Sequence, residues 1–250
     1  MRILQPLGDP DSVLARRNAF AKVVAVVLLT SLLVASIDPV TPAVALAAEL
    51  AVVPLAGIGY RDLARRAVPV LIGAAGVFVF TLIFTTADNR LLAALGLTLR
   101  LFALALPGLL VVASTDPTDL ADALIKHARV PPRFAIGALA AFRLVPLLGA
   151  EWEALSLARR ARGIDAGRNP IAKLRIFASV TFALLVGAIR WGTRLATAMD
   201  ARGFDARVPR TMARPPHFGA ADALLIVAAA AIAATALTVS LVTGTFRPLL

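Results

Sequence analysis

Long apolar stretches with few charges constrain this sequence more than any other feature. Residues 68–86 and 220–242 are each long enough to cross the hydrocarbon core of a bilayer, which takes about 20 residues of α-helix. Hydrophobic residues make up 59% of the chain, charged residues 16%, and the mean hydropathy is +0.83. Soluble domains average about 45–50% apolar and about 25% charged residues. We therefore predict an all-α, polytopic membrane protein.

The distribution of basic residues predicts which segments cross the membrane. Two apolar segments, 134–150 and 176–189, are ambiguous by hydropathy alone. If they crossed, the strongly basic loop between them would lie outside, against the positive-inside rule. If both stay inside, 23 of the 26 Lys and Arg residues are cytoplasmic. We therefore expect five spans, with the N-terminus inside and the C-terminus outside: 20–37, 43–58, 68–86, 91–113 and 220–242. The basic segment 60–66 is expected to be a return loop, and Arg16, Arg17 and Lys22 are expected to hold the N-terminus in the cytoplasm.

The N-terminal apolar run is expected to remain in the mature protein. It continues from residue 20 to residue 37 and lacks the small-residue cleavage site of a signal peptide. Residues 1–113 are thus predicted to form an N-terminal membrane domain with four spans. Residues 114–219 form a cytoplasmic helical region, and 220–250 hold the last transmembrane helix.

Cap signals divide the cytoplasmic region into three predicted helices. Asp116 is an N-cap residue followed by Pro117 at the first helical position, so a short helix starts there. A second helix is expected over 133–162. Asn169 and Pro170 repeat the signal and start a third helix, which runs to residue 202.

The second and third of these helices end in near-copies of one motif. Residues 158–166 and 198–206 both read Ala-x-x-Ala-Arg-Gly-apolar-Asp-Ala, and six of nine positions are identical. Each copy follows a long apolar segment, so an exposed arginine is expected at the helix end, followed by a glycine in the left-handed conformation. Helix capping alone explains one such copy. Two copies that also share the aspartate and the final alanine indicate twin docking points.

The sequence offers no recognisable catalytic or metal site. It has no cysteine and only two histidines, His127 and His217. No glycine is followed by lysine, which excludes a phosphate loop of the Gly-Lys-Ser/Thr type, and no Gly-x-Ser-x-Gly or His-Glu-x-x-His motif occurs. We expect no catalytic residue, no metal ligand and no cofactor bound by this chain.

Two ionisable residues fall inside predicted spans. Glu49 lies in the second and Arg100 in the fourth. Such groups are expensive in a bilayer and are candidates for function by default. The alternative is a structural role, in which they pair with each other or with the backbone of the helix bundle, or lie near a membrane interface.

The paired motifs and their surroundings resemble the T component of energy-coupling factor (ECF) transporters, the EcfT/CbiQ family. The similarity covers essentially the whole chain and is most specific from 114 to 204. The residues that carry it are the Thr-Asp-Pro-Thr-Asp-Leu entry at 115–120, Val-Pro at 130–131, Arg-Leu-Val-Pro at 143–146, and both Ala-Arg-Gly motifs in order.

This resemblance implies the coupling subunit of an ABC-type importer in the cell inner (plasma) membrane. Two cytoplasmic ABC ATPases, which bind ATP and magnesium, would dock on the coupling helices of the 114–219 region. A separate S component in the membrane would bind a vitamin or a transition-metal ion such as cobalt or nickel. Membrane lipid is a further expected partner, and nucleic acid is not. The sequence does not reveal the substrate.

The resemblance also assigns roles to individual residues. Arg162 and Arg202 would each enter a groove of one ATPase subunit, and their small neighbours would permit close approach. Those neighbours are Ala161, Gly163, Ala201 and Gly203. A second set would support the coupling helices: Asp116, Pro117, Arg143, Asp165 and Asp205.

Two other classes of protein stay open from the sequence. A self-sufficient secondary permease would show repeats among its spans and broken helices with polar groups at the membrane midplane. Here the repeat lies outside the spans. A membrane-embedded enzyme would need clustered Asp, His or Ser residues at the membrane face, which the sequence does not show.

Overall fold

The computed structural model describes residues 12–36, 38–86, 89–165, 167, 169–204 and 215–244. Helices dominate these residues, which confirms the all-α class. They form eight α-helices: α1 (Ala19–Ala35), α2 (Val40–Val52), α3 (Tyr60–Phe84), α4 (Arg90–Ser114), α5 (Pro117–His127), α6 (Pro132–Ala161), α7 (Pro170–Ala201) and α8 (Ala220–Val242). A short 3-10 turn, Val53–Ala56, follows α2.

Five of the described helices are long and apolar enough to cross a membrane, which fits the predicted polytopic protein. They are α3, α4, α6, α7 and α8. The number matches the five predicted spans, but the members differ. The first two predicted spans correspond to the shorter helices α1 and α2, whereas α6 and α7 were expected on the cytoplasmic side. Length and composition do not decide whether α6 and α7 cross, so their placement stays a prediction.

One predicted loop is a helix. The basic segment 60–66 was expected to be a loop, yet α3 already begins at Tyr60. Asp62 lies in the first turn, where a negative charge interacts favourably with the helix dipole. It also lies 3.8 Å from Arg65, three residues on. The basic segment 60–66 therefore forms the first turns of α3.

The chain divides into two compact units. The first, here called the six-helix unit, contains α1 to α5 and α8, within residues 5–130 and 215–250. The second, the two-helix unit, contains α6 and α7, within 131–214. Helix α5, which was expected among the cytoplasmic helices, belongs to the six-helix unit.

Three apolar clusters form the core of the six-helix unit. They link the 3-10 turn to α3 and α4, α1 and α2 to α4 and α8, and α1 to α8. Their buried members are Leu14, Val53, Ala56, Ile58, Leu63, Leu106, Leu110 and Ala113 in the first, Leu33, Ala45, Ala103 and Ala236 in the second, and Ala25, Leu29 and Ala229 in the third. Small residues dominate the last two clusters, which lets the helix backbones approach closely.

The two-helix unit buries few of its side chains. Ala135 on α6 and Val180 on α7 are its buried apolar residues in the described part of the chain. The helices touch where the rings of Trp152 and Phe177 lie 5.4 Å apart. Large apolar side chains such as Phe182, which is 67% exposed, point away from the unit. Surface of this kind marks contact with a membrane or another protein.

Candidate functional site

The first copy of the repeated motif ends α6 in a Schellman cap. Arg162 is the C-cap residue with φ −87° and ψ 8°. Gly163 follows at φ 74°, in the left-handed region that glycine adopts without a steric penalty. Its amide donates to the carbonyl of Arg160 at 2.9 Å, and the amide of Ile164 donates to that of Arg159 at 3.0 Å. These two bonds satisfy carbonyls that would otherwise have no partner.

The second copy ends α7 with the same geometry. Arg202 is the C-cap residue with φ −88° and ψ 7°, and Gly203 has φ 74°. The Gly203 amide donates to the carbonyl of Asp200 at 2.9 Å, and the Phe204 amide to that of Met199 at 3.0 Å. Both torsions and both hydrogen bonds therefore repeat between the two helix ends.

The cap explains only part of what the copies share. A Schellman cap selects glycine and favours an apolar residue after it. It does not select arginine at the C-cap position, alanine before it or aspartate two residues after the glycine. The shared arginine, alanine and aspartate therefore need a reason other than helix termination.

Both arginines are available to a partner. Arg162 and Arg202 are exposed, as are the alanine and glycine beside each. No hydrogen bond or ion pair to either guanidinium is found within the described residues. A guanidinium presents a fixed fork of donors to carboxylates or to carbonyls at a helix end, and small neighbours leave room to approach. Each helix end is therefore a compact, exposed basic surface with the chemistry to bind carboxylates or helix-end carbonyls.

The other residues assigned to helix support lie apart from these ends. Asp116 caps α5, since its carboxylate accepts from the Thr118 amide at 2.6 Å, and Pro117 is the first helical residue. Arg143 is exposed on α6, 19 residues before Arg162, or about 28 Å along the axis. Asp165 is exposed beside the first motif, whereas Asp205 lies outside the described residues. Their roles stay predictions.

The two ionisable candidates inside predicted spans do not pair with each other. Glu49, on α2, is only 3% exposed, and neither carboxyl oxygen has a hydrogen-bond partner in the described part of the chain. Arg100 lies on α4, where Nε and Nη2 are also buried without a partner there. The alternative in which they form an ion pair therefore does not hold in this structure.

A buried carboxylate between α1 and α2 was not singled out from the sequence. Asp38 Oδ2 accepts hydrogen bonds from the Thr41 amide at 2.7 Å, the Thr41 hydroxyl at 2.8 Å and the Ser240 hydroxyl at 2.7 Å. Burial alone would raise the pKa of the Asp38 carboxyl, but bonds from Ser240 and Thr41 hold it below its ordinary value. The ionised side chain therefore joins the start of α2 to the end of α8.

Lys22 is the second buried ion that sequence reasoning passed over, because it was read only as an orienting charge. Its side chain is 2% exposed. The ammonium donates to the carbonyl of Ser114 at 2.8 Å and to the hydroxyl of Thr115 at 3.2 Å. It thereby fixes α1 to the junction of α4 and α5. A lone lysine within an apolar run was the available signal.

Comparison with known proteins finds a family model and several relatives that match this chain. The family model CbiQ, described as cobalt transport protein, matches residues 10–212. The energy-coupling factor transporter transmembrane protein EcfT of Exiguobacterium sibiricum is 32% identical over 152 residues, covering 58% of each protein. EcfT of Staphylococcus aureus is 30% identical over 138 residues, or 52% of each. The matched region spans about half the length of these relatives.

Proposed function

Because the chain belongs to the CbiQ family of cobalt transport proteins, we propose that it is the transmembrane coupling subunit of an ECF importer. The observation that carries this proposal is that α6 and α7 end in the same way. Two docking surfaces with the same cap torsions and the same exposed arginine fit two partners of the same kind. A pair of homologous ABC ATPases on the cytoplasmic face is such a pair of partners.

Each arginine would enter a groove on one ATPase. The Arg162 and Arg202 guanidinium groups would bind carboxylates or helix-end carbonyls there, and the small residues on either side would let the groove close around the helix end. ATP and magnesium would be bound by the ATPases and not by this chain. When ATP draws the ATPases together, the two helix ends would move with them.

The long helices would carry this movement to the membrane. Helices of 30 and 32 residues extend roughly 45–48 Å, so α6 and α7 act as levers. Their exposed apolar side chains would lie against lipid and against a separate S component, which binds the substrate and reorients. A vitamin or a transition-metal ion is the expected substrate class.

The charges on α7 support a cytoplasmic position for the two-helix unit. Its longest uncharged stretch, 176–189, has 14 residues between Arg175 and Arg190. A stretch of this length is shorter than the roughly 20 residues that a transmembrane helix needs. We therefore place α6 and α7 on the cytoplasmic side, together with the N-terminus.

Affinity purification of the tagged chain from mild detergent tests the proposal. The wild type is expected to bring two ABC ATPases and a small membrane protein, whose identity would reveal the substrate class. The Arg162→Glu/Arg202→Glu variant is expected to lose the ATPases. An Arg160→Glu/Arg194→Glu variant changes the net charge equally at exposed positions outside the shared arginines and should keep them.

Two results would contradict the coupling role. One is a wild-type chain that purifies alone and transports a solute by itself in proteoliposomes, which would favour a secondary permease. The other is a glutamate variant that retains every partner, which would leave the repeated motifs as helix caps only.

A further inference from the structure

A polar cluster ties three segments of the six-helix unit together where α1 and α8 begin and α5 ends. The backbone amide of Asn18 donates to Asp222 Oδ1 at 2.8 Å, and the Asn18 side-chain amide donates to the carbonyl of His217 at 2.8 Å. Asn18 and Asp222 are 9% and 6% exposed. These bonds join residues about 200 positions apart and hold the start of α8 against the start of α1.

The end of α5 joins the same cluster. Lys126 Nζ donates to the carbonyl of Pro216 at 2.8 Å. The ring of His127 lies between those of Phe20 and Phe218, at centroid distances of 5.5 Å and 5.7 Å. We call the set Asn18, Lys126, His127, Phe218 and Asp222 the clamp.

Helix capping does not account for the clamp. The cap of α1 needs only Asn18 Oδ1, which accepts from the Phe20 amide at 2.9 Å. The start of α8 needs only Asp222 Oδ2, which accepts from the Gly219 amide at 2.8 Å. The remaining groups, the side-chain amide of Asn18 and Oδ1 of Asp222, bond between segments.

Both chain connections to the two-helix unit leave from the clamp. One follows His127, the last residue of α5, and reaches α6 at Pro132. The second connection follows α7, and the described residues resume at Pro215. Pro215 directly precedes Pro216 and His217, whose carbonyls accept from Lys126 and Asn18. Any movement of α6 and α7 that travels along the chain therefore reaches the six-helix unit here.

The first connection is short and conformationally restricted. Arg129 has φ 54°, a left-handed conformation that is uncommon for a residue other than glycine. The Val130 amide donates back to the carbonyl of Leu124 at 3.2 Å, and two prolines, 131 and 132, follow with φ fixed by their rings. The backbone of this connection is therefore restricted at Arg129 and at both prolines.

We propose that the clamp is a fixed anchor for both connections, with Asn18, Lys126 and Asp222 as positioning residues for coupling. It holds α5 and the start of α8 at a constant distance, so that both connections leave the six-helix unit from fixed points. The transmission of ATP-driven movement rests on the proposed function above. The constant distance within the six-helix unit does not depend on that proposed function.

Spin labels on an otherwise cysteine-free chain test the anchor. Ala128→Cys and Ala221→Cys place labels at exposed alanines beside the clamp without replacing any of its members. We expect one narrow distance distribution, in the chain alone and in its complex with the ATPases, which does not change when ATP is added. A nucleotide-dependent shift of this distance would overturn the proposal.

Clamp variants complete the test on the chain alone. Asn18→Ser keeps a hydroxyl to cap α1 but loses the bond to His217, and Lys126→Met loses the bond to Pro216 at an exposed site where folding is not at risk. Each should broaden the distance distribution or add a second distance. Asn89→Ala removes the exposed N-cap of α4 and should leave it unchanged.

If both clamp variants kept the wild-type distribution, the anchor would be excluded. Because these variants are measured without ATPases, that result is distinct from a failure of the proposed function, which would show as a chain that purifies without ATPases.

Discussion

The six-helix unit and the two-helix unit are built from helices of similar apolarity but bury them very differently. In the most apolar 18-residue window, 22% of α4, 17% of α8 and 11% of α3 is buried, against 6% of α6 and of α7. The first unit has three apolar clusters and internal polar bonds at Asp38, Lys22 and Asn18. Within the described residues, the second has a ring contact between Trp152 and Phe177, a hydrogen bond of 3.4 Å from Arg159 Nη1 to the carbonyl of Ile176, and two matching caps.

The difference separates a unit that is stabilised by contacts within the chain from one whose apolar side chains have few such contacts. The six-helix unit bonds the buried Lys22 ammonium and the buried Asp38 carboxylate with its own residues, so its stability depends on those contacts. The exposed apolar surface of the two-helix unit is of the kind that a membrane or a partner covers. Substitutions in the first unit should therefore change unfolding, and those at the helix ends should change binding.

Lys22→Met should have the largest effect on unfolding. The substitution keeps the length of the side chain but removes two charge-assisted hydrogen bonds to the junction of α4 and α5. We expect a loss in unfolding free energy on the order of 3 kcal/mol, measured by thermal unfolding in detergent. Lys173→Met, at an exposed site on α7, is the control. Equal stability of the two variants would contradict the assigned role of Lys22.

Gly96→Ala should have the next largest effect. A Cβ at Gly96 would lie 3.0 Å from Cβ and 3.2 Å from Cα of Pro39, which is tighter than normal packing. Overpacking of this kind costs about 1–3 kcal/mol. Gly108→Ala, on the same helix, meets nothing within 4 Å and should stabilise α4 by about 0.5–1 kcal/mol. Unfolding shifts of the same sign in both variants would show that the contact with Pro39 does not matter.

Replacement of the cap glycines should have the smallest effect on unfolding. Gly163→Ala and Gly203→Ala place a side chain at φ 74°, at roughly 1 kcal/mol for each helix end. We expect faster amide exchange in the last turns of α6 and α7, weaker ATPase co-purification and an unchanged melting temperature. Gly167→Ala, at φ 49° and outside the motif, controls for the glycine substitution itself. A lowered melting temperature in the double variant would show that the units are not independent.

The features that the sequence predicted are those that depend on neighbouring residues. The cap at Asp116, the start of α7 after Asn169 and the bounds of α8 were all expected, because each depends on a few adjacent side chains. The left-handed glycines at both motif ends were expected for the same reason. Family membership also followed from local motifs.

The features that it did not predict depend on distant residues. The bond between Asn18 and Asp222 joins positions 204 apart, and that between Asp38 and Ser240 joins positions 202 apart. No local pattern marks either pair. The segment 60–66 was misread because its charges are typical of a loop, although charged side chains are equally well solvated on the first turns of a helix.

The length of the uncharged stretch of α7, 14 residues, affects membrane insertion before the chain binds any partner. The machinery that inserts membrane proteins reads apolar segments as they leave the ribosome, and it penalises arginine near the centre of a helix by about 2.5–3.5 kcal/mol. Arg190 and Arg194 end the stretch before it reaches membrane length. With Arg190 replaced by leucine, the uncharged stretch would run from 176 to 193, and α7 would compete for insertion. If α7 lies on the cytoplasmic side, as proposed above, these two arginines would act during synthesis, by keeping a highly apolar helix out of the bilayer.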